Sequence, residues 1–465
     1  MPLMFLTRHW ALGPISPRLN EIDFAPSKAF LGKIEDMLYK SLSVAIASSM
    51  LISINGCSRT LPATSSQRTF VSPPSAPAGT FSVDADFPGG NIIADCNEGD
   101  TIFLRPDQRD SSEWWFYWNF RVRGAGGRTL QFQFTGNDPI GTRGPAVSTD
   151  GGHTWSWLGR QAVQDSAFSY TFGRDSKEVQ FCFSIPYLEA NLQEFLGRYA
   201  DSPHLTVHEL CRTGKGRSVE RIHASKINAE PNYRILLTAR HHACEMIASY
   251  SLEGLLEAVL ADTNLGRWFQ DNVEVLAVPF VDKDGVEDGD QGKSRRSHDH
   301  NRDYLGKSIY PSVQAIRQFV PQWSKGKLTV ALDLHCPHIS GKYNEVIYIV
   351  GSSNPATWQQ QKEFAAILES VREGPRFSPE LTAEGLPYRA ESSLPFGTAW
   401  NTAANYGQYK SCSRWAEEQP GVRLATTIEI PYANVGAAVV TAVNARAFGR
   451  DLAGALRRYL ENSDR

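Results

Sequence analysis

The stretch YRILLTARHHACE, residues 233–245, decides how the rest of the chain is read. Its first part, YRILLTAR (233–240), is an apolar, strand-like run. The second, Arg240-His241-His242-Ala243-Cys244-Glu245, ends that strand and opens a helix. Leu252, Leu255, Leu256, Val259 and Leu260 fall on one face of that helix. His242 and Glu245 stand three residues apart, so on a helical turn their side chains point the same way. A neutral imidazole and a carboxylate in that relation fill two positions of a zinc tetrahedron. Taken alone, HxxE is a common surface pair, so the decision falls to what surrounds it.

Working outward, further strand-like runs alternate with helical ones: VEVLAVPFV (273–281), KLTVALDLH (327–335), EVIYIVG (345–351) and LATTIEI (424–430). A last amphipathic helix carries Leu452, Leu456, Tyr459 and Leu460. This alternation predicts an α/β domain over residues 185–465, with a largely buried mixed sheet flanked by helices. In such sheets functional groups gather beyond strand ends. Asp333-Leu334-His335-Cys336-Pro337 ends a strand in a second histidine, completing a His₂Glu set that leaves a fourth position for water. Glu429 stands in an otherwise apolar strand, where an acid is costly without a partner or a role such as general base. In HDHNRDY (298–304), Asn301 and Arg302 offer amide and guanidinium donors suited to gripping a carboxylate. The preceding loop, DKDGVEDGDQGKSRR (282–296), lacks the closing Glu of a calcium-binding EF-hand.

On the N-terminal side, residues 81–184 show short alternating runs broken by turns. WWFYWNFRVR (114–123), Gly124 to Gly127 and TLQFQFTG (129–136) read as an antiparallel hairpin, and several such units predict an antiparallel β-sandwich. Trp114, Trp115 and Trp118 read as core rather than a sugar platform. Between Ser58 and Thr80, 13 of 23 residues are Ser, Thr or Pro, the composition of a flexible linker. Before it, SLSVAIASSMLISI (41–54) runs fourteen residues without a charge, too short to span a membrane and suited to a signal peptide. Ile54-Asn55-Gly56-Cys57 resembles a bacterial lipobox, so residues 1–57 are expected to export the chain and anchor it by lipid at Cys57. A buried helix in a cytoplasmic protein is the alternative, and Met37 is a candidate start.

The formal net charge of −3 excludes a chain-wide basic surface for nucleic acid. The 41% hydrophobic and 11% aromatic content excludes a mostly disordered chain. No CxxC pair occurs, which removes cysteine-built zinc fingers.

Four motifs in order, ARHHACE (239–245), GKSRRSHDHNRD (292–303), DLHCP (333–337) and TIEIPYA (427–433), resemble those of the zinc carboxypeptidase family, in its cytosolic-carboxypeptidase-like branch with bacterial relatives. The resemblance covers roughly residues 81–460 and implies one zinc ion and peptide substrates with a free C-terminal carboxylate. It casts His242, Glu245 and His335 as ligands and Glu429 as general base. Arg295, with Arg296 as fallback, is implied as the cation on the scissile carbonyl, and Asn301 and Arg302 as the clamp on the terminal carboxylate. The segment before Glu429, holding Tyr406, Tyr409 and Arg414, is implied to line the pocket for the terminal side chain, where Arg414 would favour an acidic residue. Cys244 and Cys336, beside two ligands, depart from the family pattern and read as packed free thiols. The same residues also allow a zinc amidohydrolase acting on N-acyl amino acids or cell-wall peptides, and a catalytically silent surface binding protein.

Overall fold

Seven strands form the central sheet of the computed structural model, which describes residues 81–111, 114–373 and 385–462. The readings of residues 1–57 and 58–80 lie outside the described residues. In chain order the strands are β1 (Leu205–Arg212), β2 (Ser218–Ser225), β3 (Tyr233–Ala239), β4 (Val273–Val278), β5 (Leu328–His335), β6 (Tyr348–Val350) and β7 (Leu424–Glu429). They lie side by side as β1-β2-β4-β3-β5-β7-β6. The middle four, β4, β3, β5 and β7, run parallel, and antiparallel strands stand outside them.

Every residue of β3 and β5 is buried, as parallel strands covered on both faces must be. Four helices provide the cover: α1 (Met246–Leu260), α2 (Pro311–Ser324), α3 (Pro355–Glu373) and α4 (Ala442–Asn462). Alternation along β3 sorts its side chains: Ile235 and Leu237 join the core that includes α1, α3 and α4, while Leu236 packs with Val313 and Ile316 of α2. The helix α1 is less amphipathic than its leucine stripe suggests, since only Glu257 among its residues escapes burial. The reason is α4, which covers the side of α1 away from the sheet. The two backbones approach through glycines: a Cβ on Gly254 would lie 2.0 Å from the Arg446 carbonyl oxygen, and one on Gly449 2.0 Å from that of Ser251.

Residues 82–182 form two five-stranded sheets packed face to face. The pairing is antiparallel except for Thr101–Arg105 against Thr129–Phe134, which is parallel. The expected hairpin across Gly124 to Gly127 does not form. Asn119–Arg123 belongs to one sheet and Thr129–Phe134 to the other, so the glycines carry the chain across the sandwich. Alternation reports which residues turn inward, and here Phe120 and Phe132 meet ring to ring at 5.3 Å across the core instead of pairing along a ladder. Trp115 and Trp118 are buried, with Trp118 donating to the Pro139 carbonyl, as expected of core residues. This sandwich is not separately cored: Phe116 and Phe183 pack on Tyr432 of the α/β region, within one continuous cluster.

The helix contact yields a direct expectation. Gly254→Ala forces a methyl into the Arg446 carbonyl and should destabilise the protein by about 1–3 kcal/mol, read as a lowered midpoint in urea unfolding.

Candidate metal centre

Three adjacent parallel strands end at one edge of the sheet, and their register fixes what meets there. Ala239 pairs with Leu334 between β3 and β5, and His335 pairs with Glu429 between β5 and β7. Beyond β3 the chain turns at Arg240, a non-glycine residue at φ 59°. Its buried guanidinium donates to the carbonyls of Ala243 and Tyr187 and to Ser249 Oγ, locking the HHACE turn. His242 and Glu245 sit on this turn, closed by Glu245 N donating to His242 O at 3.2 Å, and not on α1 as their spacing suggested.

His242 Nδ1 lies 2.8 Å from Glu245 Oε1, and His335 Nδ1 lies 2.7 Å from Glu245 Oε2. One ligand atom from each of the three residues falls within 4.8 Å of the others. Each imidazole has a carboxylate behind its other nitrogen: Asp333 Oδ2 at 2.8 Å from His335 Nε2, and Asp299 Oδ1 at 3.5 Å from His242 Nε2. That is the carboxylate–histidine support typical of metal ligands. Burial alone would raise Glu245, but His242, His335 and Lys293 override it and hold its carboxyl well below the usual range. Burial alone would lower His335, but Asp333 and Glu245 push it well up. A negative field that favours protons on these imidazoles also favours a divalent cation, which competes with those protons. The donor set fits zinc.

His241, Asp333 and His335 make a second group of suitable spacing. There, Asp333 is already engaged by His241 Nδ1 at 2.8 Å, by Thr238 Oγ1 at 2.7 Å and by His335, while His241 Nε2 meets the Tyr304 hydroxyl. All three residues are buried and none but His335 lines the cavity, so this group offers no place for water or substrate. It positions His335.

A cavity of about 390 Å³ opens on the site. His242, His335, Glu429, Asn301, Arg302, Lys293, Asp299, His338, Tyr348 and Tyr406 are among the residues lining it. Burial raises the Glu429 carboxyl, and its Oε2 is buried with no hydrogen-bond partner among the described residues. Asn301 reaches the cavity with its amide oxygen committed: Oδ1 accepts from Cys412 N, while Nδ2 lies 3.0 Å from His335 Nε2, whose proton goes to Asp333. Arg302 makes no ion pair among the described residues, and its guanidinium carbon stands 5.0 Å from the Tyr406 ring centre.

Three expected site residues are not brought to the cavity. Arg295 is held by Asp110, Asp282 and Asp290 at 2.8–3.0 Å, so its charge is spent on these three carboxylates and not on a substrate carbonyl. Tyr409 packs against the His298 ring and does not line the cavity, and Tyr406 takes the lining position. Arg414 lies 3.5 Å from the Tyr406 ring centre and is not among the lining residues. Two lining residues, Lys293 and Asp299, went unread although both stand in the GKSRRSHDHNRD motif; a lone Lys in a polar glycine-rich loop carries no periodic signal. The described cysteines are free, and burial pushes the Cys244 thiol up to about 12, which disfavours a thiolate ligand.

Arg295→Gln would leave the Asp110, Asp282 and Asp290 carboxylates without their shared cation, at an expected cost of about 3 kcal/mol, measured by urea unfolding.

The sequence profile of the zinc carboxypeptidase family matches residues 192–447. Cytosolic carboxypeptidase 6 of Caenorhabditis elegans is 24% identical over 62% of this chain and 68% of its own length. Cytosolic carboxypeptidase 3 of Mus musculus is 29% identical over 43% of this chain, which spans only 21% of that protein. The crystal structure of a metallo-carboxypeptidase from Burkholderia cenocepacia superposes with a TM-score of 0.66 over 82% of this chain and 99% of its own, at 19% identity. The chain therefore belongs to the zinc carboxypeptidase family of one-zinc hydrolases that act on peptide bonds.

Proposed function

We propose that this protein is a metallocarboxypeptidase that removes the C-terminal residue of peptides, with Glu429 as its general base. The observation that supports this most is the buried Glu429 Oε2, without a hydrogen-bond partner among the described residues, in the same cavity as the His242–Glu245–His335 set. A zinc ion held by those three residues supplies a Lewis acid and an acidified water. Glu429 takes a proton from the attacking water and delivers it to the leaving amine as the C–N bond breaks. Arg302 holds the terminal carboxylate, which restricts cleavage to the last residue. Asn301, held by the Cys412 N–H on its Oδ1, lines the cavity beside Arg302 and adds an amide donor to the clamp. Arg414 acts on specificity only through Tyr406, whose ring it covers. The segment 41–57 supports an exported, lipid-tethered setting at Cys57, in which peptides released in the cell envelope are the substrates.

End-group profiling of a peptide library, with N-acyl amino acids in parallel, tests the reading. Loss of single C-terminal residues, abolished by chelator and restored by zinc, is expected; turnover of N-acyl amino acids alone would favour the small-substrate amidohydrolase. Glu429→Gln should lower kcat by about 10²–10⁴-fold while zinc content stays at that of the parent. Because burial raises the Glu429 carboxyl and the base must be ionised, kcat/KM should fall on acidification with a limb above the ordinary glutamate value of about 4.3.

A further inference from the structure

Neither cation that the family resemblance implied for the scissile carbonyl lines the cavity: Arg295 faces three aspartates, and Arg296, the fallback, is not among the lining residues. We infer that Lys293 fills that role, donating a hydrogen bond from its ammonium to the carbonyl oxygen of the scissile bond.

Its placement is built by the chain around it. Gly292, at φ 80°, passes so close to the HHACE turn that a Cβ there would lie 2.4 Å from Ala243 N. Next to it, Gln291 O accepts from Cys244 N at 3.1 Å, while the Gln291 side chain accepts from Phe116 N at 2.7 Å and donates to Trp114 O at 3.1 Å. The loop is thus pinned between the sandwich and the ligand turn, and Lys293 has one direction to go. Its ammonium is buried, bonds to Glu245 Oε1 and donates to the Cys336 carbonyl at 2.9 Å, beside His335. An ammonium carries three N–H donors. Two have acceptors among the described residues, and the third remains for substrate in a cavity that Lys293 lines together with both histidines and Glu429. The other basic side chains lining that cavity are Arg302, assigned to the terminal carboxylate, and Lys342, on the segment after the buried His335 strand.

The chemistry asks for a cation at that point. As water adds to the carbonyl carbon, the C=O π pair moves to oxygen and a negative charge develops there. The water proton passes to Glu429 and then to the departing nitrogen, and the Lys293 ammonium keeps its own protons throughout. Fixed beside Glu245 and Cys336 O, it needs no reorganisation when the charge appears.

This inference rests on the carboxypeptidase reading, and the experiment separates the two. Lys293→Met, Lys293→Gln and Lys293→Arg are compared with the parent for zinc content, melting temperature, kcat and KM on the best-cleaved hippuryl dipeptide, and affinity for its phosphonate analogue by calorimetry. Folded Met and Gln variants should retain zinc and lose about 10²–10³-fold in kcat with KM within about threefold. Phosphonate affinity should fall by a comparable factor, and Arg should recover part of both. A neutral variant that keeps zinc, kcat and phosphonate affinity overturns the inference while the carboxypeptidase reading stands. A variant whose lost kcat returns on adding zinc overturns it too, by making Lys293 a support for Glu245. Absence of both turnover and phosphonate binding in the parent overturns both readings.

Discussion

A carboxylate with no solvent exposure costs several kcal/mol unless positive charge or hydrogen bonds surround it, and Glu245 is such a group. Its two oxygens are taken by His242, His335 and Lys293. Keeping those partners in place determines much of the architecture around it. Arg240 locks the turn that carries His242 and Glu245, Asp333 fixes His335, and Asp299 backs His242. The parallel register of β3, β5 and β7 brings His335 and Glu429 to one edge beside the turn that follows β3, and the loop after β4 adds Lys293, Asp299 and Asn301. A divalent cation placed among the same donors satisfies the same charge demand.

The sandwich contributes more than bulk to this arrangement. Through Trp114, Phe116 and Gln291 it fixes the loop that delivers Lys293, and Trp114 stacks on His338 at the cavity wall. Through Asp110 it also shares in holding Arg295. Two regions with different sequence texture therefore form one site wall, which explains why their hydrophobic cores are continuous.

Strands such as LTVALDLH were legible because burial on both faces leaves an unbroken apolar run, and a histidine closing that run stood out. The grouping of His242, Glu245 and His335 follows from residue type and spacing, although the spacing predicts a helix where the structure has a turn. What stayed illegible was partner choice. Alternation marked Phe120 and Phe132 as inward-facing but not that they belong to opposing sheets. In the same way, the basic run at 293, 295 and 296 did not disclose which side chain turns inward. That depends on the Gly292 contact with Ala243 and on aspartates at 110, 282 and 290, one of them far off in sequence.

The most direct test of the metal centre is an anomalous difference map at the zinc edge from crystals of the zinc-loaded protein. A single peak within about 2.0–2.2 Å of His242 Nδ1, His335 Nδ1 and a Glu245 carboxylate oxygen is the predicted result. A peak among His241, Asp333 and His335, or one bound to Cys244 or Cys336, would contradict it.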